Sequence, residues 1–256
     1  MRLTGRVAII TGASSGFGRA TAVRFAQEGA SLVLGDLDGD GGRETLALVE
    51  HAGGAAELVV GDVATADVAA ALVARALERF ALLDMLVNNA GIAPPEPQRS
   101  WDAPEESWDR VLRVNLKSVY LCCRAVIPEM IRHGSGAIVN VASIAATRAV
   151  GGASYAAAKG GILSYTRFVS RELAPQGIRV NCVSPGYMRT PMSTGERYGL
   201  TEAQQDARME NFAQRVPMRR SGAAGDIADA IVYLASNEAG YVTGQELIVD
   251  GGYTVG

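Results

Sequence analysis

The sequence predicts an α/β protein: a doubly wound, seven-stranded parallel sheet with helices on both faces. Three observations predict it. Short runs of Val, Ile and Leu alternate with longer helical stretches along the whole chain, and parallel neighbours need such crossovers. Several apolar runs end in small polar turns, as at Asn88-Asn89-Ala90-Gly91 and Ser184-Pro185-Gly186, where open parallel sheets bind ligands. The alternation resumes after the Pro94-Pro95-Glu96-Pro97 loop, so residues 1–256 are expected to form a single domain.

Val7 to Ile10 reads as a buried strand by its β-branched residues. It empties into Thr11-Gly12-Ala13-Ser14-Ser15-Gly16-Phe17-Gly18, with helical character from Arg19 to Gln27. A glycine-rich turn between strand and helix lets bare amides approach a phosphate at the positive end of the helix. The second strand, Ser31 to Leu34, runs into Gly35-Asp36-Leu37. Asp36 lies twenty residues after Gly16, where an acid accepts hydrogen bonds from an adenosine ribose. Its carboxylate would repel a 2′-phosphate, which favours NAD(H) over NADP(H).

Helices are expected over Asp38 to Ala52 and Ala66 to Phe80, and strands over Glu57 to Gly61 and Met85 to Val87. One long helix is expected from Pro104 to Arg132, bent at Pro128 and stopped by Gly134. Ala137 to Val141 and Ile178 to Val183 read as the fifth and sixth strands, and Glu246 to Val249 as the last. Between Tyr187 and Met218 the pattern is irregular, with a short helix near Glu202 to Phe212; Asp226 to Ala235 is helical.

Composition narrows the function classes. Hydrophobic residues make up 48% of the 256, enough for a large core, and the net charge of −3 without a Lys/Arg stripe speaks against nucleic acid. Cys122, Cys123 and Cys182 are an odd set in apolar segments, so core packing is expected rather than disulfides or metal ligation. His51 and His133 read as helix C-terminal cations, not catalysts. The N-terminus lacks the apolar stretch of a signal peptide and no segment has the ~18 apolar residues of a membrane span. A soluble, cytoplasmic protein without membrane partners is expected.

The chemistry centres on Gly152 to Lys159, where a run of alanines favours helix and sets Tyr155 and Lys159 one turn apart on one face. A free phenol titrates near ~10. One positive charge at about 4 Å, worth roughly 4 kcal/mol at an effective dielectric of ~20, would bring it down by about three units of pH. The phenol is therefore expected to be an acid/base usable near neutral pH.

The glycine turn, Asp36, Asn88-Asn89-Ala90-Gly91, Asn115, Ser143, Tyr155, Lys159 and Pro185-Gly186 occur together in one order. That set resembles the short-chain dehydrogenase/reductase family in its single-domain Rossmann form, over essentially the whole chain. The resemblance implies hydride transfer between NAD(H) and a secondary alcohol or ketone. It implies that Tyr155 is the acid/base, that Lys159 lowers its pKa and binds the nicotinamide ribose, that Ser143 holds the substrate oxygen, and that Asn115 holds a relay water. It implies cofactor contacts at Gly12, Ser14, Ser15, Gly16, Phe17, Gly18, Asp36 and Leu37, at Asp62 and Val63 by the adenine, at Asn89, Ala90 and Gly91 by the ribose, and at Pro185, Gly186, Met188 and Thr190 by the nicotinamide. A homotetramer or dimer is implied, joined through the helices at 104–132 and 153–174 and the last strand. Ile144, Val150, Tyr187, Met188 and Met192 are expected to make a mostly apolar substrate site, with residues 190–218 as its lid. The rivals are a β-ketoacyl-thioester reductase using NADP(H), against which Asp36 counts, and a non-catalytic dinucleotide sensor.

Overall fold

In a computed structural model the described residues are 1–94, 99–196 and 199–255. Seven strands lie in the order β3-β2-β1-β4-β5-β6-β9 and every pair is parallel. They are β1 (Val7–Thr11), β2 (Ser31–Asp36), β3 (Ala56–Val60), β4 (Met85–Asn88), β5 (Gly136–Val141), β6 (Ile178–Pro185) and β9 (Glu246–Val249). The chain winds outward from β1 in one direction and from β4 in the other. The crevice between their carboxyl ends is the switch point where such sheets bind ligands.

Alternation along β1 explains why both sheet faces are covered. Val7 and Ile9 enter one core with Leu72 of α3 (Ala66–Phe80), Cys123 of α5 (Ser118–His133) and Ile162 of α6 (Ala153–Leu173). Ala8 and Ile10 enter the other with Phe25 of α1 (Gly16–Gln27), Val49 of α2 (Gly39–His51) and Ile231 of α9 (Ala224–Ala235). Each face thus buries β-branched and leucine side chains against a helical layer, as period-two patterning requires. The three cysteines are free and buried, and burial pushes each thiol up to about 12. Among the described residues, no helix is long and apolar enough to cross a membrane and no acid, His or Cys cluster could hold a metal ion.

The helix expected from Pro104 to Arg132 runs unbroken from Glu105 to His133 but is not α-helical throughout. α4 (Glu105–Leu112) passes through a π-helical segment, Arg113–Lys117, before α5 begins. The widened turn carries the buried Asn115, whose Nδ2 donates to the Val111 carbonyl at 2.9 Å. Hydrophobic periodicity is blind to such a one-residue slip, and π-bulges often mark functional positions. α5 ends where expected, on Gly134 at φ 69°. A second sheet, β7 (Met188–Arg189) with β8 (Gly222–Ala223), was not foreseen because two residues carry no period. It anchors both ends of a segment holding α7 (Pro191–Thr194) and α8 (Glu202–Gln214), the latter started by reciprocal Thr201–Gln204 capping.

Candidate active site

The glycine turn is built by close packing. Gly12 sits at φ 67°, and a Cβ there would lie 2.7 Å from the Ala90 Cα. Asn89 clamps the turn: its Nδ2 donates to the Thr11 and Gly12 carbonyls at 3.0 and 2.9 Å. The Asn89 and Ala90 amides donate to Thr11 Oγ1, which ties the end of β1 to the turn after β4. Helix α1 starts at Gly16, earlier than expected, so Gly16, Phe17 and Gly18 form its first turn. Its N-cap Ser15 makes no side-chain cap and the turn holds no acid, so these amides are open to an anion. That geometry fits a pyrophosphate.

Asp36 ends β2. Its two carboxylate oxygens accept from the Ser14 amide at 2.8 Å and the Asp38 amide at 3.0 Å, which fixes it against the glycine turn. Leu37 beside it is 72% exposed. The neighbouring cations are engaged: Arg19 by Glu44 and the Ser14 and Gly41 carbonyls, Arg43 by Asp40. Asp62, expected at the adenine, has its pKa lowered by its hydrogen bond from Arg113 at 2.6 Å. Val63 is buried beneath Gly35. Together the uncapped amides and the Asp36 acceptor could hold a dinucleotide.

The other half of the crevice carries the acid/base candidates. Ser143 follows β5, and its Oγ accepts from the Ala145 amide at 3.1 Å in the turn Ile144–Ala146. Tyr155 and Lys159 stand on successive turns of α6, after Gly152 at φ 91°. Lys159 is 3% exposed, its Nζ donates to the Val141 carbonyl at 2.8 Å, and it lies 5.6 Å from the Tyr155 ring centroid. Asn115 spans the gap to the β4 turn, donating to the Ile92 carbonyl at 2.9 Å and accepting from the Ile92 amide at 3.2 Å. A Cβ on Gly91 would lie 2.6 Å from Asn115 Oδ1 and 3.5 Å from Lys159 Nζ, so glycine lets these groups converge.

One electrostatic expectation is reversed. Burial pushes the Tyr155 phenol above its ordinary value, Ser143 pulls it partly back, and Lys159 does not set it. The ammonium is directed to Val141 and is itself lowered by burial to about 8. Helical spacing alone sets charge and phenol one turn apart, but desolvation of both groups outweighs their attraction.

A stability prediction follows from that burial. Lys159 titrates near 8 when folded against 10.5 for a free lysine, a cost of about 3 kcal/mol. The cost is fully present below about 8, where both states are charged, and fades as pH rises toward 10.5 because only the unfolded chain still holds the proton. Lys159→Met is therefore expected to stabilise the cofactor-free protein by about 1–2 kcal/mol at neutral pH, after about 1–2 for the lost bond to Val141. The gain over wild type should shrink at alkaline pH in thermal melts. A variant that melts at or below the wild-type temperature at neutral pH would contradict this.

A cavity of about 610 Å³ opens over Ser143 and Tyr155. Ile144, Val150, Tyr187, Met188 and Met192 all line it, as expected. Pro185, Gly186 and Thr190 close one side, and Thr190 carbons would lie 3.7–3.8 Å from a Cβ on Gly16, so this segment crosses the glycine turn. Met188 is buried, and Gly186 packs where a Cβ would meet Asp250 at 2.6 Å. Ser193, Arg208 and Phe212, within the expected lid but not singled out from the sequence, also line the cavity. The signal was present: Arg208 and Phe212 are four apart on the expected helix and so share a face. Phe212 stacks on Tyr187 with centroids 4.3 Å apart, and Tyr253 meets Tyr187 edge-on at 4.9 Å.

A parallel sheet with an anion-ready helix start and a tyrosine–serine pair over a cavity defines a dinucleotide-dependent oxidoreductase. The family model described as "Enoyl-(Acyl carrier protein) reductase" matches residues 12–254. The chain belongs to the short-chain dehydrogenase/reductase family, whose members bind a nicotinamide dinucleotide, and it is an enzyme acting on CH–OH groups or their carbonyl counterparts. It is 38% identical over 256 residues to the 3-oxoacyl-acyl-carrier-protein reductase of Thermotoga maritima, with 100% of both chains covered. It is 42% identical over 251 residues to the cis-4-hydroxycyclohexanecarboxylate dehydrogenase of Sinomonas cyclohexanicum, covering 97% and 96% of the chains. Levodione reductase superposes with a TM-score of 0.92 at 37% identity over 99% of each chain.

Proposed function

We propose that the protein interconverts a secondary alcohol and its ketone with NAD(H), using Tyr155 as the acid/base. The observation that carries this reading is the placement of Tyr155 and Ser143 together at a largely apolar cavity beside the carboxyl ends of β5 and β6. A bound nicotinamide supplies the hydride acceptor or donor at this end of the crevice. Tyr155 takes the hydroxyl proton in oxidation and returns it to the developing alkoxide in reduction. Ser143 donates to the same oxygen, where charge develops. Lys159 and Asn115 hold the polar floor between Gly91 and Val141, where a ribose and a proton relay fit. The α1 amides hold the pyrophosphate, and Asp36 the adenosine ribose.

Residues 190–218 act as the lid, because α7 and α8 present Met192, Arg208 and Phe212 to the cavity. Tyr120 and Phe168, 46% and 67% exposed on α5 and α6, support association into a tetramer or dimer through those helices. Three buried free thiols support a reducing, cytoplasmic setting. The β-ketoacyl-thioester reading draws on the Thermotoga maritima relative, but Asp36 opposes its phosphorylated cofactor. The deciding experiment is a panel of secondary alcohols, ketones and acyl thioesters, each assayed by nicotinamide absorbance with NAD(H) and NADP(H). Turnover of alcohols or ketones with NAD(H) is expected. Turnover confined to acyl thioesters with NADPH would establish the rival.

A further inference from the structure

Among the described residues that line the cavity, one side chain carries a full charge: Arg208. It stands on α8, one turn before Phe212, with its guanidinium carbon 5.4 Å from the Phe212 ring centroid. Its Nε donates to the Ser193 carbonyl at 2.8 Å. The stack and the hydrogen bond orient the guanidinium plane. Both terminal amino groups are left without a protein acceptor among the described residues.

What singles Arg208 out among the arginines is its place in the cavity lining. Two residues away on the same helix, Asp206 is committed to Arg189. Arg220, just before β8, is likewise paired with Asp226. A guanidinium held in orientation at the wall of an otherwise neutral cavity, with two donors unspent, suits a planar two-oxygen anion.

We propose that Arg208 is a specificity residue that selects substrates carrying a carboxylate in addition to the reacting alcohol or ketone. The proposal rests on the reading of this cavity as the site of alcohol and ketone chemistry. It narrows the substrate class to hydroxy acids and keto acids whose carbon skeleton packs between the Tyr187–Phe212 stack and Ile144. Phe212 serves twice, as a wall for the skeleton and as the platform that orients the guanidinium.

The test compares an acid with its amide, which has nearly the same shape without the charge. Calorimetry with the NADH-loaded protein should show phenylbutanoate binding at least about tenfold tighter than phenylbutanamide, since a charge-assisted pair at a partly open site is worth about 1.4 kcal/mol or more. Arg208→Gln should bring the two ligands within about twofold, and Arg208→Lys should retain part of the preference because the charge persists. In turnover, benzoylpropanoate should exceed benzoylpropanamide in kcat/KM, the difference lying in KM. Equal affinities in the wild type, binding of neither ligand, or a preference that survives Arg208→Gln would overturn the role of Arg208. If the acid preference and its loss are seen but neither ketone is reduced, the anion site stands and the alcohol–ketone reading falls.

Discussion

Tyr155→Phe is expected to lower kcat by at least about 10²–10⁴-fold, the usual loss when a positioned proton donor is removed. NAD(H) affinity should stay near wild type, because the ring keeps its packing against Gly151, where a Cβ would lie 3.0 Å from Tyr155 Cδ1. Only the oxygen is lost. The pH dependence gives a second readout. Burial holds the phenol protonated at neutral pH, so reduction has its proton donor in place, whereas oxidation needs the phenolate and should speed up as pH rises. The phenylalanine variant should lack that rising limb. Cofactor titration by nucleotide fluorescence and steady-state rates in both directions separate binding from proton transfer. A variant with more than a tenth of wild-type kcat would remove Tyr155 from the chemistry.

The strand ends were the most legible part of the sequence. The strand ends read at Ile10, Leu34, Val87 and Val141 lie within two residues of the observed ends because apolar runs stop abruptly at small polar residues, and the sheet order gathers those ends into one crevice. The π turn at Arg113–Lys117 was illegible because it leaves no mark on local periodicity, and the contact of its Asn115 with the chain after β4 is a tertiary event. The direction of the Tyr155 shift was misjudged for a related reason. Spacing gives the distance between two groups on a helix, but desolvation depends on what the rest of the fold lays over them. Asn89 shows the same limit, since its side chain serves the glycine turn through bonds that only the folded chain reveals. Arg208 was readable as part of the expected lid and as a neighbour of Phe212, but which lid residues reach the cavity depends on the return path through β8, hidden in two residues.

Wild-type protein is expected to use NAD(H) with kcat/KM at least a hundredfold, or about 2.7 kcal/mol, above that for NADP(H). The Asp36 carboxylate is fixed by the Ser14 and Asp38 amides, so it cannot swing away from a 2′-substituent without losing both bonds. A 2′-phosphate would bring about −1.5 to −2 charges against it. Like charges at such range in a partly desolvated crevice repel by several kcal/mol at an effective dielectric of ~20. Compensation is blocked locally, because Arg19 is spent on Glu44 and the Ser14 carbonyl and Arg43 on Asp40. The exposed Leu37 offers the one adjacent side chain that can be changed without disturbing a core. The Asp36→Ala, Leu37→Arg double variant removes the repulsion and adds a cation, and should move the NAD(H)/NADP(H) ratio toward the phosphorylated cofactor by at least about tenfold, or about 1.4 kcal/mol. Total activity should fall as well, since the Ser14 amide loses its acceptor and the glycine turn its tether; the ratio is therefore the quantity to measure. Equal use of both cofactors by the wild type would show that Asp36 does not face the ribose, and would return the acyl-thioester reductase to first place.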